Sequence, residues 1–90
     1  MSESIVYVGS KPILAYVTAI MTAFNRNPDT VVVKARGRAI SSAVDAAEVT
    51  RTRFLSNLTS EISIGTEEMQ GDGGGTRNVS TIEITLRKSH

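Results

Sequence analysis

The chain has no cysteine and no tryptophan, and its one histidine is His90; its aromatics are Tyr7, Tyr16, Phe24 and Phe54. Each shortage excludes a chemistry. Without cysteine there is no disulfide, no thiolate metal site and no cysteine nucleophile, which fits a reducing cytoplasm. With histidine confined to position 90, a histidine-centred catalytic constellation is excluded as well. No apolar run approaches the length of a membrane span, and the amino terminus lacks the charged-then-apolar layout of a signal peptide. So few aromatics weigh against sequence-specific reading of single strands by stacking. Neither sign of charge dominates: ten Lys and Arg face nine Asp and Glu, a formal net charge of +1. A global basic field is therefore absent, and the distribution of charge matters more than its sum.

The 90 residues make one domain, 1–90. By size scaling the folded monomer keeps roughly 5,100 Å² of a roughly 13,900 Å² unfolded surface, so about 63% is buried. That is marginal for a chain with no disulfide, and a second subunit is the natural remedy.

Ile5-Val6-Tyr7-Val8, closed by Gly9, is a short apolar run that reads as a buried strand. Ser10 then suits a helix N-cap and Pro12 a first turn. Ile13, Leu14, Val17, Ile20, Met21 and Phe24 follow as one apolar stripe on a helix of about four turns, which ends over Asn25 to Asp29, at Pro28. Val31-Val32-Val33 is a second buried strand. From Ala39 to about Leu55 a second helix carries Ile40, Ala43, Val44 and Ala47 inward. Thereafter the period changes to two, with Ile62 and Ile64, then Ile82, Ile84 and Leu86, alternating with polar residues. Val79 falls on the opposite parity, which predicts a bulge or twist near Ser80-Thr81. Gly71, Gly73, Gly74 and Gly75 mark the tip of a long hairpin. The order is β-α-β-α-β-β, an α/β fold in two layers: two helices on one face of a mixed four-stranded sheet, the other face largely polar.

The cations gather where the second strand gives way to the second helix. Lys34, Arg36, Arg38, Arg51 and Arg53 lie within twenty residues whose acids are Asp45 and Glu48. Gly37, between two arginines, frees a backbone angle and lets a partner approach closely. In this topology the start of the first helix and the end of the second strand can share a sheet edge, so Lys11, Arg36 and Arg38 would converge. Gly9-Ser10-Lys11-Pro12 also sets Lys11 beside unpaired helix-start N–H groups, although the spacing of a phosphate-binding P-loop is missing. Asp45 and Glu48 read as solvated or paired with Arg51 and Arg53, and Glu67 and Glu68 as solvated. Arg77, beyond the glycine-rich tip, suits a groove contact. Phe54 lies outside its helix's inner stripe, and periodicity allows either an exposed contact or a place in the core.

The segment Lys34-Ala35-Arg36-Gly37-Arg38-Ala39-Ile40-Ser41-Ser42-Ala43-Val44-Asp45 carries a family resemblance, together with Gly9-Ser10-Lys11-Pro12, Arg51-Thr52-Arg53-Phe54 and Val79-Ser80-Thr81-Ile82-Glu83-Ile84. In order and spacing these segments resemble the archaeal Alba chromatin proteins over nearly the whole chain. The resemblance implies a fold like the C-terminal domain of bacterial translation initiation factor three. It implies a homodimer that binds double-stranded DNA with little sequence preference, and often RNA. Carried over by position, Lys11, Arg36, Gly37 and Arg38, with Lys34 beside them, become contacts of the dimer's body, and Arg77 a contact of its hairpin arm. Arg51, Arg53 and Phe54 become the contact between neighbouring dimers. Lys11 also becomes a position for reversible acetylation, with Ser10 standing where the family commonly has a second lysine. The arm is poor in cations, Glu67, Glu68 and Asp72 facing Arg77.

The expected function is thus non-catalytic coating and compaction of chromosomal DNA in the cytoplasm, on the nucleoid, without cofactor or metal. An RNA chaperone or ribonucleoprotein subunit would use the same cations equally well.

Overall fold

The computed structural model describes residues 4–27 and 29–89; Pro28, His90 and the side chain of Asp72 lie outside the described residues. Four strands form one mixed sheet: β1 (Ser4–Tyr7), β2 (Thr30–Arg36), β3 (Leu58–Gln70) and β4 (Thr76–Lys88), in the order β1-β2-β4-β3. β1 pairs with β2 in parallel, and β4 runs antiparallel to both β2 and β3. Helix α1 (Ile13–Arg26) links β1 to β2, and α2 (Ile40–Val49) follows β2 after a single 3₁₀ turn at Gly37–Ala39.

Strand alternation decides which residues meet the helices. Val6, Val31, Val33, Ala35, Ile82, Ile84 and Leu86 are buried and share one side, in the register Val6–Val33–Ile84 and Val31–Leu86. They form the core with Tyr16, Val17, Ile20 and Phe24 of α1 and Ala43, Ala46 and Ala47 of α2. Three alanines let α2 lie close to the sheet. At the far end of the core, the Lys88 ammonium sits 5.4 Å from the centre of the Phe24 ring, a cation–π contact. The opposite face of the sheet carries cross-strand ion pairs: Lys34 with Glu83 at 3.6 Å and Arg87 with Glu61 at 3.2 Å. The α/β order and the layering are those expected from the periodicity.

Four details differ. Helix α1 starts at Ile13 with Pro12 in the cap position and no side-chain cap, so Ser10 is not its N-cap. Leu14 is exposed and Tyr16 takes the inward place, because the helix is rotated to bring the tyrosine hydroxyl under the preceding turn. Val44 is likewise exposed and Ala46 is buried in its stead. No bulge interrupts β4: pairing with β3 is one-to-one from Leu58–Lys88 to Gln70–Thr76. Val79 keeps its odd parity because it packs on the open side, beside Gly37. A Cβ placed on Gly37 would lie 3.6 Å from Val79 Cγ1.

β3 and β4 outrun the rest of the sheet. β2 ends at the pair Arg36–Thr81, and β3 and β4 continue together for five more pairs, about 17 Å. This arm stretches the molecule to 49 × 27 × 18 Å and leaves 6,040 Å² of accessible surface, above the roughly 5,100 Å² of a compact chain this size.

Gly37 has φ +58°, in the left-handed region, so the turn between β2 and α2 depends on its lacking a side chain. Gly37→Ala is expected to lower stability by about 1–2 kcal/mol through backbone strain alone, since the space for a methyl is present. Urea unfolding should show an earlier midpoint with an unchanged slope.

Candidate nucleic-acid interface

The turn that carries Lys11 is built on Tyr16. Its hydroxyl, buried under the turn, accepts hydrogen bonds from the Gly9 N–H and the Lys11 N–H, each at 2.9 Å. Those two N–H groups are therefore engaged within the protein rather than open to an anion, as the sequence suggested. What the turn offers outward is the exposed Lys11 side chain, held on a fixed backbone.

β1 and β2 are parallel, so their C-terminal ends lie at the same end of the sheet. The Val8 N–H donates to the Lys34 carbonyl at 2.9 Å, extending the ladder to the point where the Lys11 turn begins. Arg36 is the last residue of β2, and Arg38 follows Gly37 within the 3₁₀ turn; both are exposed. Lys11, Arg36 and Arg38 are thus brought to one end of the sheet from two separate segments. Lys34 lies just inside this rim, half-buried and paired with Glu83.

The arm projects from the same end, because β4 is antiparallel to β2 and begins beyond Arg36. It adds charge of both signs. Arg77 is exposed, opposite Met69, roughly 14 Å past the end of β2. Glu67, read as solvated, instead binds Arg36: its Oε1 accepts from the guanidinium Nη1 at 3.1 Å. Register explains the pairing, since Arg36, Val79 and Glu67 share the open face of neighbouring strands. Lys11, Arg38 and Arg77 have no ion pair among the described residues. At the tip, the Gly71 N–H donates to the Gly75 carbonyl at 2.7 Å, and Gly73 and Gly74 have φ of +83° and +90°.

Arg51, Arg53 and Phe54 are not part of this cluster. They belong to a wide π-helical turn, Thr50–Phe54, that ends α2 roughly 20 Å along the helix from Gly37. Two threonine hydroxyls bond back to the preceding turn, Thr50 to the Ala46 carbonyl at 2.8 Å and Thr52 to the Glu48 carbonyl at 2.7 Å. The Leu55 N–H closes the turn on the Thr50 carbonyl at 2.8 Å. Thr50 is fully buried, whereas Phe54 is 51% exposed, which resolves its placement: it is outside the core. Arg51 pairs with Glu48 at 2.6 Å and Arg53 is exposed without an ion pair among the described residues. No three acidic or histidine side chains cluster as metal ligands among the described residues.

The roles of Tyr16 and Glu67 escape a linear reading. Tyr16 sits five residues after Lys11, a spacing that only the turn's fold makes local. Glu67 lies 31 residues from Arg36, and only strand register joins them.

The Alba family model matches residues 4–65. The chain is 48% identical over 87 residues to a protein of Thermoplasma acidophilum named "DNA/RNA-binding protein Alba", covering 96% of this chain and 97% of that one. It is 51% identical over 89 residues to "DNA/RNA-binding protein Alba 1" of Archaeoglobus fulgidus, covering 98% and 99%. Among solved structures, Alba from Thermoplasma volcanium superposes with a TM-score of 0.87 at 48% identity, over 94% of this chain and all of that one. ALBA1 from Trypanosoma brucei shares the fold at 24% identity, with a TM-score of 0.71 over 99% of this chain and 72% of that one.

Tyr16→Phe keeps the ring and removes the shared acceptor. The loss of two part-buried hydrogen bonds is expected to lower stability by about 1–3 kcal/mol. Hydrogen exchange should show the Gly9 and Lys11 amides losing protection before those of β2.

Proposed function

Because the chain belongs to the Alba family, we propose that it binds nucleic acid through the sheet end that carries Lys11, Arg36 and Arg38. The observation that carries this reading is the convergence of those exposed cations beside an arm long enough to reach along a duplex. The names of its close relatives support both DNA and RNA as ligands. Its finer form is a homodimer that coats and compacts double-stranded DNA on the chromosome, in the cytoplasm, with little sequence preference. Phosphate contacts fix position without reading sequence, and this rim is made of cations suited to phosphate. Lys34 and Gly37 support the rim from within, Arg77 meets the duplex from the arm, and acetylation of Lys11 would remove one of its charges.

A second copy is supported by surface that the monomer leaves open. Ile62 and Ile64 of β3 are 63% and 79% exposed on the side of the sheet where the helices lie, and Ile62 shares a shallow recess with the exposed Val44 of α2. Two helices reach across β1, β2 and β4, and β3 is left for another subunit. Phe54 lies apart, at the end of α2, and with Arg51 and Arg53 it makes a separate contact between dimers along the DNA.

Lys11, Arg36, Arg38 and Arg77, doubled by the dimer, would give a log–log salt slope of about −7 if all met phosphate. Arg36 must first leave Glu67, and Arg77 shares its arm with Glu67 and Glu68. Lys11 and Arg38 of each copy therefore carry most of the contacts, and a slope of about −4 is expected for duplex DNA. Glu67→Gln should tighten binding and steepen the slope by about 1–2. A slope near zero, or strong preference for one sequence, would sink this reading.

Assembly is tested separately. Ile62→Glu is expected to yield monomers in sedimentation equilibrium. Phe54→Ala should remain dimeric and bind DNA with a less cooperative isotherm.

A further inference from the structure

We infer that the open face of the sheet holds a stacking site for one unpaired nucleobase, centred on Tyr7. This rests on the proposed nucleic-acid binding at the neighbouring cationic rim and adds a ligand class that the rim cannot select.

Tyr7 is the last residue of β1, and Val6 and Val8 on either side of it are buried in the core. Alternation turns its ring to the face away from the helices, where it is 71% exposed. The other tyrosine is accounted for: Tyr16 is buried and its hydroxyl holds the Lys11 turn. Nothing comparable engages Tyr7, whose hydroxyl has no hydrogen bond among the described residues.

The surroundings of the ring suit a base. Across the sheet Tyr7 stands in register with Lys34 and then Glu83. With Gly9, Arg36 and Glu67 these residues line an open depression of about 630 Å³, within the roughly 300–1,000 Å³ typical of small-ligand sites. The carboxylates of Glu67 and Glu83 accept hydrogen bonds from ring N–H and exocyclic amino groups. Lys34 and Arg36 donate to base carbonyls or to the adjoining phosphate. Aromatic, acceptors and donors are therefore within one concavity that opens beside the rim.

A base inside a duplex presents only its edges, so a stacking platform selects bases that are splayed out, in a loop, a bulge or a single strand. Stacking tolerates any base, because each has a π-face. The ring therefore adds affinity for unpaired strands of any sequence, and the shortage of aromatics noted in the sequence does not argue against it.

The test measures binding of a short single-stranded RNA, the matching single-stranded DNA and a DNA duplex of the same length, by fluorescence anisotropy at low salt. Tyr7→Ala is expected to weaken single-strand binding about tenfold and leave the duplex unchanged. Whichever strand loses more names the preferred ligand. Tyr7→Phe should retain the affinity of the original chain. Because there is no tryptophan, tyrosine emission reports the contact directly. Single strands should quench emission in the original protein and much less in Tyr7→Phe. Unchanged single-strand affinity in Tyr7→Ala, or equal losses on all three ligands, overturns the stacking site and leaves the rim standing. Failure of the original protein to bind any of the three overturns the proposed function, and the stacking site with it.

Discussion

The structure depends on the double pairing of β2. Val31, Val32 and Val33 are buried, and β2 is joined to a parallel neighbour on one side and an antiparallel one on the other. The parallel pairing puts the ends of β1 and β2 together, and so the Lys11 turn beside Arg36. The antiparallel pairing sends the arm out from that same end. A slip of one residue would turn Arg36 toward the helices and Ala35 toward water. Such a slip is resisted because it would carry Lys34 as well as Arg36 into the core in place of Val33 and Ala35, and a buried unpaired charge is costly. The cationic rim is thus a consequence of core packing rather than of attraction among its own charges, which repel one another.

Electrostatics then decides how freely the rim can act. Arg36 and Lys34 each have a carboxylate partner, and both pairs are solvent-exposed in part. Such pairs contribute about 0–1 kcal/mol, so a phosphate displaces the carboxylate at little cost. The displaced carboxylate nevertheless stays nearby on a rigid strand and opposes the incoming anion. Glu67 in this way moderates the arginine it orients, and nearly balanced total charge leaves no surrounding field to compensate. Salt further limits what distant charges contribute, since they are screened beyond about 8 Å at physiological ionic strength.

Element order and the cationic turn were legible in the sequence because each rests on local period or on adjacent residues. The convergence of Lys11 with Arg36 and Arg38 was legible too, since it follows from a β-α-β topology. What escaped was set by rotation and register. Whether α1 turns Leu14 or Tyr16 inward shifts the apolar stripe by a fraction of a turn, and the hydrogen bonds of the tyrosine hydroxyl decide it. The pairing of Arg36 with Glu67 needs the register of three strands to be known together. Val79 suggested a bulge because an apolar residue on the open face had no visible partner, and the partner is the bare backbone at Gly37. Phe54 was undecided by periodicity because the π-helical turn changes the helical period just before it.

A nucleic-acid surface with this balance of charges cannot depend on counterion release as fully as a strongly basic one. Each phosphate contact weakens as salt rises, and two of the cations near the rim already have partners. Stacking on an aromatic ring is much less sensitive to salt, because it neutralises no charge. The same carboxylates that temper the rim toward phosphate are acceptors for the donors on a base edge. With the proposed stacking site, Glu67 and Glu83 would act in opposite senses toward a duplex, which shows them its phosphates, and toward an unpaired strand, which can show them its bases. On that account acids beside the rim shift preference away from duplex backbone and toward exposed bases, and Tyr7 stands where that shift would be felt.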